Sequence, residues 1–330
     1  MRWNLAYPVF AVLSLTLALA GCRREPLPGG GDVLRFSVDA PEDAYALTRA
    51  YSLPGVTPPA DPLRRDGNRV RVWGSMNTSS NVFNSPYLEL VCEGNGSTAD
   101  WDYAGDRYYW YASAAYQFRS VFTDGHDADI QSGDAGEVRV AYPGGYDLLV
   151  AAASIASDAP KEATLTFRHA CAAVRFFCVD PSRGTATTPN YSVTRFSLRN
   201  VAKTGTLAFT GTSTATTASV TGWTPGPATG EAWSLPGSWE VPDIRSASEV
   251  SALTPWFYFV PQTLGEDAAI ELSFSPATTG QTITLTHLLK DSSTAWEPGK
   301  MYTYFIVIEP AGIRFEVGWA NWGDPVIQEL

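Results

Sequence analysis

The tightest constraint on this chain is a short alternating pattern that keeps recurring. Residues 33–38 read VLRFSV. On an extended backbone Leu34, Phe36 and Val38 point one way, and Val33, Arg35 and Ser37 the other, as in a half-buried strand. Similar runs follow at close spacing: RVRVWG (69–74), YLELVCEG (87–94), RYYWY (107–111), YQFRSVF (116–122), EVRVAY (137–142) and DLLVAAA (147–153). Stretches such as EGNGSTADW and TDGHD carry turn residues between them. No window sustains a helical period, although residues 40–52 admit a short helical turn. SIASDAPKEA (154–163) is a polar, small-residue link, which sets a domain boundary near residue 160. A second series follows, from ATLTFRHACAAVRFFCV (163–179) to MYTYFIVIE (301–309) and GIRFEVGW (312–319). Within it, residues 211–250 are too long for a simple turn. They are expected to pack through Trp223, Trp233 and Trp239. Regular short strands with turns between them predict an all-β sandwich or barrel, and the length accommodates two domains.

The N-terminus follows an export plan. Arg2 supplies a positive start, and residues 10–20 are apolar and uncharged. A transmembrane helix needs about 20 apolar residues, so this run is short for spanning. Leu19-Ala20-Gly21-Cys22 resembles the lipobox of bacterial lipoproteins. That resemblance implies cleavage between Gly21 and Cys22, with acyl chains carried on Cys22. An ordinary signal peptide with an incidental cysteine is the alternative. Residues 1–21 are then a signal peptide and residues 22–32 a flexible tether rich in Pro and Gly. Arg23 stands where Asp would favour inner-membrane retention, which points to the outer membrane.

Chemistry is sparse. The net charge of −11 argues against a nucleic-acid partner. Beyond Cys22 the cysteines are Cys92, Cys171 and Cys178, an odd number that cannot all pair. They read as buried free thiols. His126, His169 and His287 have no ligand spacing, so no metal or other cofactor is expected. There is no G-x-S-x-G elbow, phosphate loop or H-E-x-x-H. Asp100 and Asp102 flank Trp101, as a glycosidase could arrange them, but neighbouring acids are ordinary turn groups. His169 lies in an apolar run and reads as a buried histidine with a hydrogen-bond partner. RYYWY could stack on sugar rings, with half of its side chains spent on the core.

The order of motifs carries more than any one of them. LRFSV (34–38) is followed by Thr48-Arg49-Ala50, WDYAGDRYYWY (101–111), YQF (116–118), YDLLVA (146–151) and LTFRHACAAVRFFCV (165–179). FVPQ (259–262), WEPGKMYTYFIVI (296–308) and a closing V-x-W-x-x-W, VGWANW at 317–322, complete the series. In this order the chain resembles the fimbrillin-like lipoproteins, the subunits of type V pili of anaerobic Gram-negative bacteria. Ala172-Ala173 stands where that family often carries a basic residue, which leaves the subtype open.

The resemblance implies two tandem transthyretin-like Greek-key β-sandwich domains, at 33–159 and 160–330. It implies a non-enzymatic subunit or anchor of a surface fimbrium on the outer membrane. Its partners would be other fimbrial subunits, the membrane through the lipid anchor, and a host protein or glycan. Maturation would cut between Arg49 and Ala50, remove the strand carrying Leu34, Phe36 and Val38, and leave an acceptor groove. The C-terminal strand with Ile313, Phe315, Val317 and Trp319 is the matching donor, or else the last strand of its own domain. A carbohydrate-binding surface lipoprotein that does not polymerise is the competing reading.

Overall fold

In the computed structural model, residues 32–321 are described apart from 40–62, 78–79, 84–85, 112, 127, 133–136, 158–161, 180–190, 211–221, 236, 242–251, 277–279 and 310–311. The predicted turn at 40–52 and the sites at Gly21, Cys22, Arg49 and Ala50 lie outside the described residues. Among the described residues the only helices are single 3-10 turns, Gly96–Thr98 and Leu289–Asp291.

The first series contains β1 (Arg35–Asp39), β2 (Arg69–Met76), β3 (Ser80–Asn81), β4 (Leu88–Glu93), β5 (Asp100–Tyr103), β6 (Tyr116–Phe122), β7 (Asp129–Ser132), β8 (Glu137–Tyr142), β9 (Leu149–Ile155), β10 (Glu162–Thr166) and β11 (Arg168–His169). The second contains β12 (Ala172–Val179), β13 (Tyr191–Arg199), β14 (Gly205–Thr210), β15 (Trp223–Pro225), β16 (Trp233–Ser234), β17 (Trp239–Glu240), β18 (Phe257–Phe259), β19 (Gln262–Thr263), β20 (Ala269–Pro276), β21 (Ile283–Leu288), β22 (Ala295–Trp296), β23 (Lys300–Glu309) and β24 (Gly312–Asn321). The runs at 116–122 and 137–142 match their strands end to end.

The two series repeat one plan. β1 lies parallel to β10, and β12 lies parallel to β23. A short extended segment crosses the start of each entering strand, residues 108–110 against 32–34 and β18 against β12. Opposite these stand β2-β6-β9 in the first series and β13-β20-β21 in the second, all antiparallel. Each pair of layers closes on its own core. The first gathers Leu34, Phe36, Phe118, Leu149 and Leu165, and the second Val174, Phe176, Phe196, Leu272 and Tyr304.

A third core joins them. It lies on the other face of the sheet β11-β9-β6-β2-β4-β5, where Trp73, Val121, Val150 and Ala152 alternate with residues of the first core. The sheet β15-β14-β8-β7 covers this face. Within it Gly205–Thr210 of the second series pairs antiparallel with Glu137–Tyr142 of the first. β9 is therefore buried on both faces, which is why its sequence LVAAASI does not alternate. The run at 163–179 is not one strand. β10 remains in the first core through Ala163 and Leu165, and β12 opens the second. Between them Ala170 and Cys171 enter the third core, so the chain must turn there. Trp223 edges onto Tyr142 in this seam, whereas Trp233 packs on Phe196 and Phe257, and Trp239 packs on the second core.

The seam also holds the buried polar pair. His169 Nδ1 sits 2.6 Å from Asp147 Oδ2, with the side chains 5% and 6% exposed. A histidine and a carboxylate out of water are held only by each other and by local dipoles. His169→Gln should remove that bond and cost about 2 kcal/mol, read as a lower urea midpoint with unchanged slope. An unchanged midpoint would show that the pair carries no net stability.

Candidate functional site

The first strand occupies a slot built from three sides. Its inward side chains, Leu34, Phe36 and Val38, are all buried in the first core. On one edge β1 runs parallel to β10, from Arg35 opposite Glu162 to Asp39 opposite Thr166. Ser37 Oγ donates to Thr164 Oγ1 at 3.0 Å across that pair. On the other edge only the start of the strand is held. Leu34 N donates to Tyr108 O at 2.8 Å, and Trp110 N to Asp32 O at 3.0 Å. The Tyr103 hydroxyl donates to Leu34 O from the floor, where burial pushes its pKa up. Phe36 meets Phe118 edge-on at 5.1 Å and Tyr103 at 6.3 Å.

These contacts make β1 both important and separable. It lies at the start of the described chain, and its ladder bonds go to two elements only. Burying three side chains of this size stabilises by roughly 1.5–3 kcal/mol each, on the order of 5–9 kcal/mol together. A domain holds about 5–15 kcal/mol in all. Removing β1 would therefore uncover Phe118, Leu165 and the edge of β10 at a cost close to the stability of the fold. An exposed apolar slot with an unpaired strand edge calls for another strand.

The C-terminal segment has the expected form but a different seat. β24 pairs antiparallel with β23 of its own chain, with Val317 opposite Tyr304 and Ile313 opposite Ile308. Val317 is buried, and Ile313 and Phe315 pack half-buried on the second core. The Phe315 ring stacks on His287 at 3.9 Å. Trp319 stands opposite Tyr302 in the same ladder. β24 is the terminal strand of β18-β12-β23-β24. Acceptor and donor candidates thus belong to different sheets and are not brought together within one chain.

The remaining candidates have local partners. Asp100 and Asp102 each accept the amide of the next residue at 2.8 Å. The Tyr103 amide and the Arg107 guanidinium hold the Asp102 carboxyl below the usual range. Such a group is a poor proton donor near neutrality. Cys92, Cys171 and Cys178 are free and buried. Burial, then the Asp147 carboxylate, raises the Cys171 thiol. Sequence reasoning missed Asp147 as the partner of His169, because 22 residues separate them. It also missed the repeat itself. The signal was present in LRF at 34–36 and VRF at 174–176, and in YYW at 108–110 and FYF at 257–259.

Comparison with known proteins places these features. A family model described as fimbrillin-like matches residues 48–322. No curated protein sequence matches. Among solved structures, a fimbrial protein from Bacteroides vulgatus ATCC 8482 superposes with a TM-score of 0.54 at 14% identity, covering 88% of this chain and 99% of that one. A candidate cell-adhesion protein from Bacteroides ovatus ATCC 8483 gives 0.53 at 13% identity, covering 89% and 99%. At these identities the likeness shows the fold.

Phe36→Ala tests the slot directly. It should cost about 3–5 kcal/mol, measured by chemical denaturation of the intact chain. A loss below 1 kcal/mol would mean that the first core closes without this strand.

Proposed function

We propose, from the premise that this chain belongs to the fimbrillin-like family, that it is a structural subunit or anchor of a surface fimbrium, assembled by exchange of strands between subunits. Membership of the family carries a cell-surface location and association with other fimbrial subunits. The single observation that supports the mode of assembly is the seat of β1. It is a buried strand with Leu34, Phe36 and Val38 inward, joined to the rest of the chain through the residues that include Arg49. Cleavage between Arg49 and Ala50 would let the strand leave, and a strand from another subunit would refill the slot. β24 is the donor this sequence offers, since Ile313, Phe315 and Val317 alternate as β1 does. Donation then requires β24 to leave β23 or to arrive before it docks there. The role is structural, without catalysis or cofactor. The export signal and Cys22 fit an outer-membrane lipid anchor that holds the subunit before assembly.

Two expected outcomes follow. Cys22→Ala should shift the chain out of the outer-membrane fraction in unprocessed form; unchanged fractionation would remove the lipid anchor from the proposal. Truncation after Pro310 should leave a folded chain that forms no ladder of oligomers on unboiled gels of native membranes. If that truncation unfolds the second core, β24 belongs to its own sandwich and a different segment must be the donor.

A further inference from the structure

The internal repeat allows the two sandwiches to be compared position by position. Val33 bridges Tyr109, and Ala173 lies opposite Tyr258. This register matches Arg35 with Arg175, Phe36 with Phe176 and Ser37 with Phe177. Along the crossing segment it matches Tyr109 with Tyr258 and Tyr111 with Val260. The parallel ladders extend the match, because Arg35 faces Glu162 and Arg175 faces Thr303. Thr164 then corresponds to Phe305, and Thr166 to Val307.

In the second sandwich this outer face is covered. Phe177, Val179, Phe305 and Val307 form a buried cluster of their own, and Val260 lies within the third core. In the first sandwich no such apolar cluster forms on this face among the described residues: Thr164 is exposed, and Ser37 and Thr166 are half-buried. Ser37, Thr164 and Thr166 have replaced the apolar residues, as a face turned to water requires. Tyr109 and Tyr111 are the exceptions. They are 40% and 39% exposed, while Tyr108 and Trp110 between and beside them pack on the first core. No hydrogen bond within the described residues holds either hydroxyl.

We propose that Tyr109 and Tyr111 form a stacking platform for a neutral oligosaccharide. Two residues apart on extended backbone, their side chains leave the same side of the segment, from Cα atoms about 6.7 Å apart. The electron-rich face of a tyrosine attracts the polarised C–H bonds of a sugar ring. A tyrosine also loses little side-chain entropy on binding. Hydrogen-bonding groups lie close along the same two segments: Arg107, two residues before Tyr109 and 3.0 Å from Asp102, and the exposed Arg35, two residues after the Val33 that Tyr109 bridges. The local charge selects against a polyanion. Asp32, Asp102, Asp106 and Glu162 outnumber Arg35 and Arg107, on a chain of net charge −11. The surroundings also disfavour a protein interface, which needs a contiguous apolar centre. Among the described residues, the other exposed large apolar side chain is Ile283, in the second sandwich. Both tyrosines lie on chain that stays behind if β1 departs, and their segment then loses its bonds to residues 32–34 until another strand takes that place.

The test is affinity electrophoresis of the intact monomer through gels holding soluble mannan, β-glucan or, as an acidic control, hyaluronate. At least one neutral gel should retard the chain, and Y109A/Y111A should abolish that retardation without shifting Tm. Y109F/Y111F should retain it, since the ring faces remain. No retardation in either neutral gel overturns the proposal, as does retardation that survives Y109A/Y111A. Stronger retardation in hyaluronate overturns the neutral assignment. A change in oligomeric state of Y109A/Y111A on size exclusion overturns the glycan reading, because the rings would then join subunits. Should the double alanine variant unfold, Y111S alone, at the ring furthest from the β1 ladder, supplies the same comparison.

Discussion

Each sandwich depends on one pairing, that of the strand that enters it with a strand near its exit. Both pairings are parallel, β1 with β10 and β12 with β23. Parallel neighbours cannot be joined by a hairpin, so a long stretch of chain must pass between them. Here that stretch is the opposite sheet. Once the entering strand is in place, its inward residues complete a core assembled from later chain, Phe36 against Phe118 and Phe176 against Phe196 and Tyr304. The same arrangement makes the entering strand the element whose loss is felt everywhere. It contributes much of the stability of its core.

The seam has a different logic. β8 and β14 arise between repeated strands of different sandwiches and pair with each other. Their sheet buries the back of β9 and β6, and the polar groups at that depth are paired locally. Asp147 holds His169, the Tyr142 hydroxyl donates to the carbonyl of Tyr146, and the Trp223 indole donates to Ala170 O. The last of these bonds ties the second series to the residue at which the chain crosses. Such a seam resists separation of the two cores more strongly than a linker would.

Much of the strand pattern was legible along the chain. Where one face is buried and one is wet, as in EVRVAY and RFSVD, alternation marked strand and face together. The pattern was weakest where both faces are buried. LVAAASI has no alternation to read, and the run at 163–179 hides two strand ends because the crossing at Ala170-Cys171-Ala172 carries no Gly, Pro, Asn or Asp to mark a turn. The acceptor residues Leu34, Phe36 and Val38 could be named from period alone. Their partners could not, since parallel pairing leaves no turn signature between the strands.

By itself the sequence determined that this chain is all-β, built from short strands, and which side of most strands faces inward. Those properties are local, set by a two-residue period and by turn residues that act within a few positions. Only the tertiary structure decided which strands are neighbours and that the two series share one plan. It also decided that β24 completes its own sheet and that Tyr109 and Tyr111 stand bare where Tyr258 and Val260 are covered. These are outcomes of which face meets which, and a face acquires its meaning only when something else packs against it or leaves it to water.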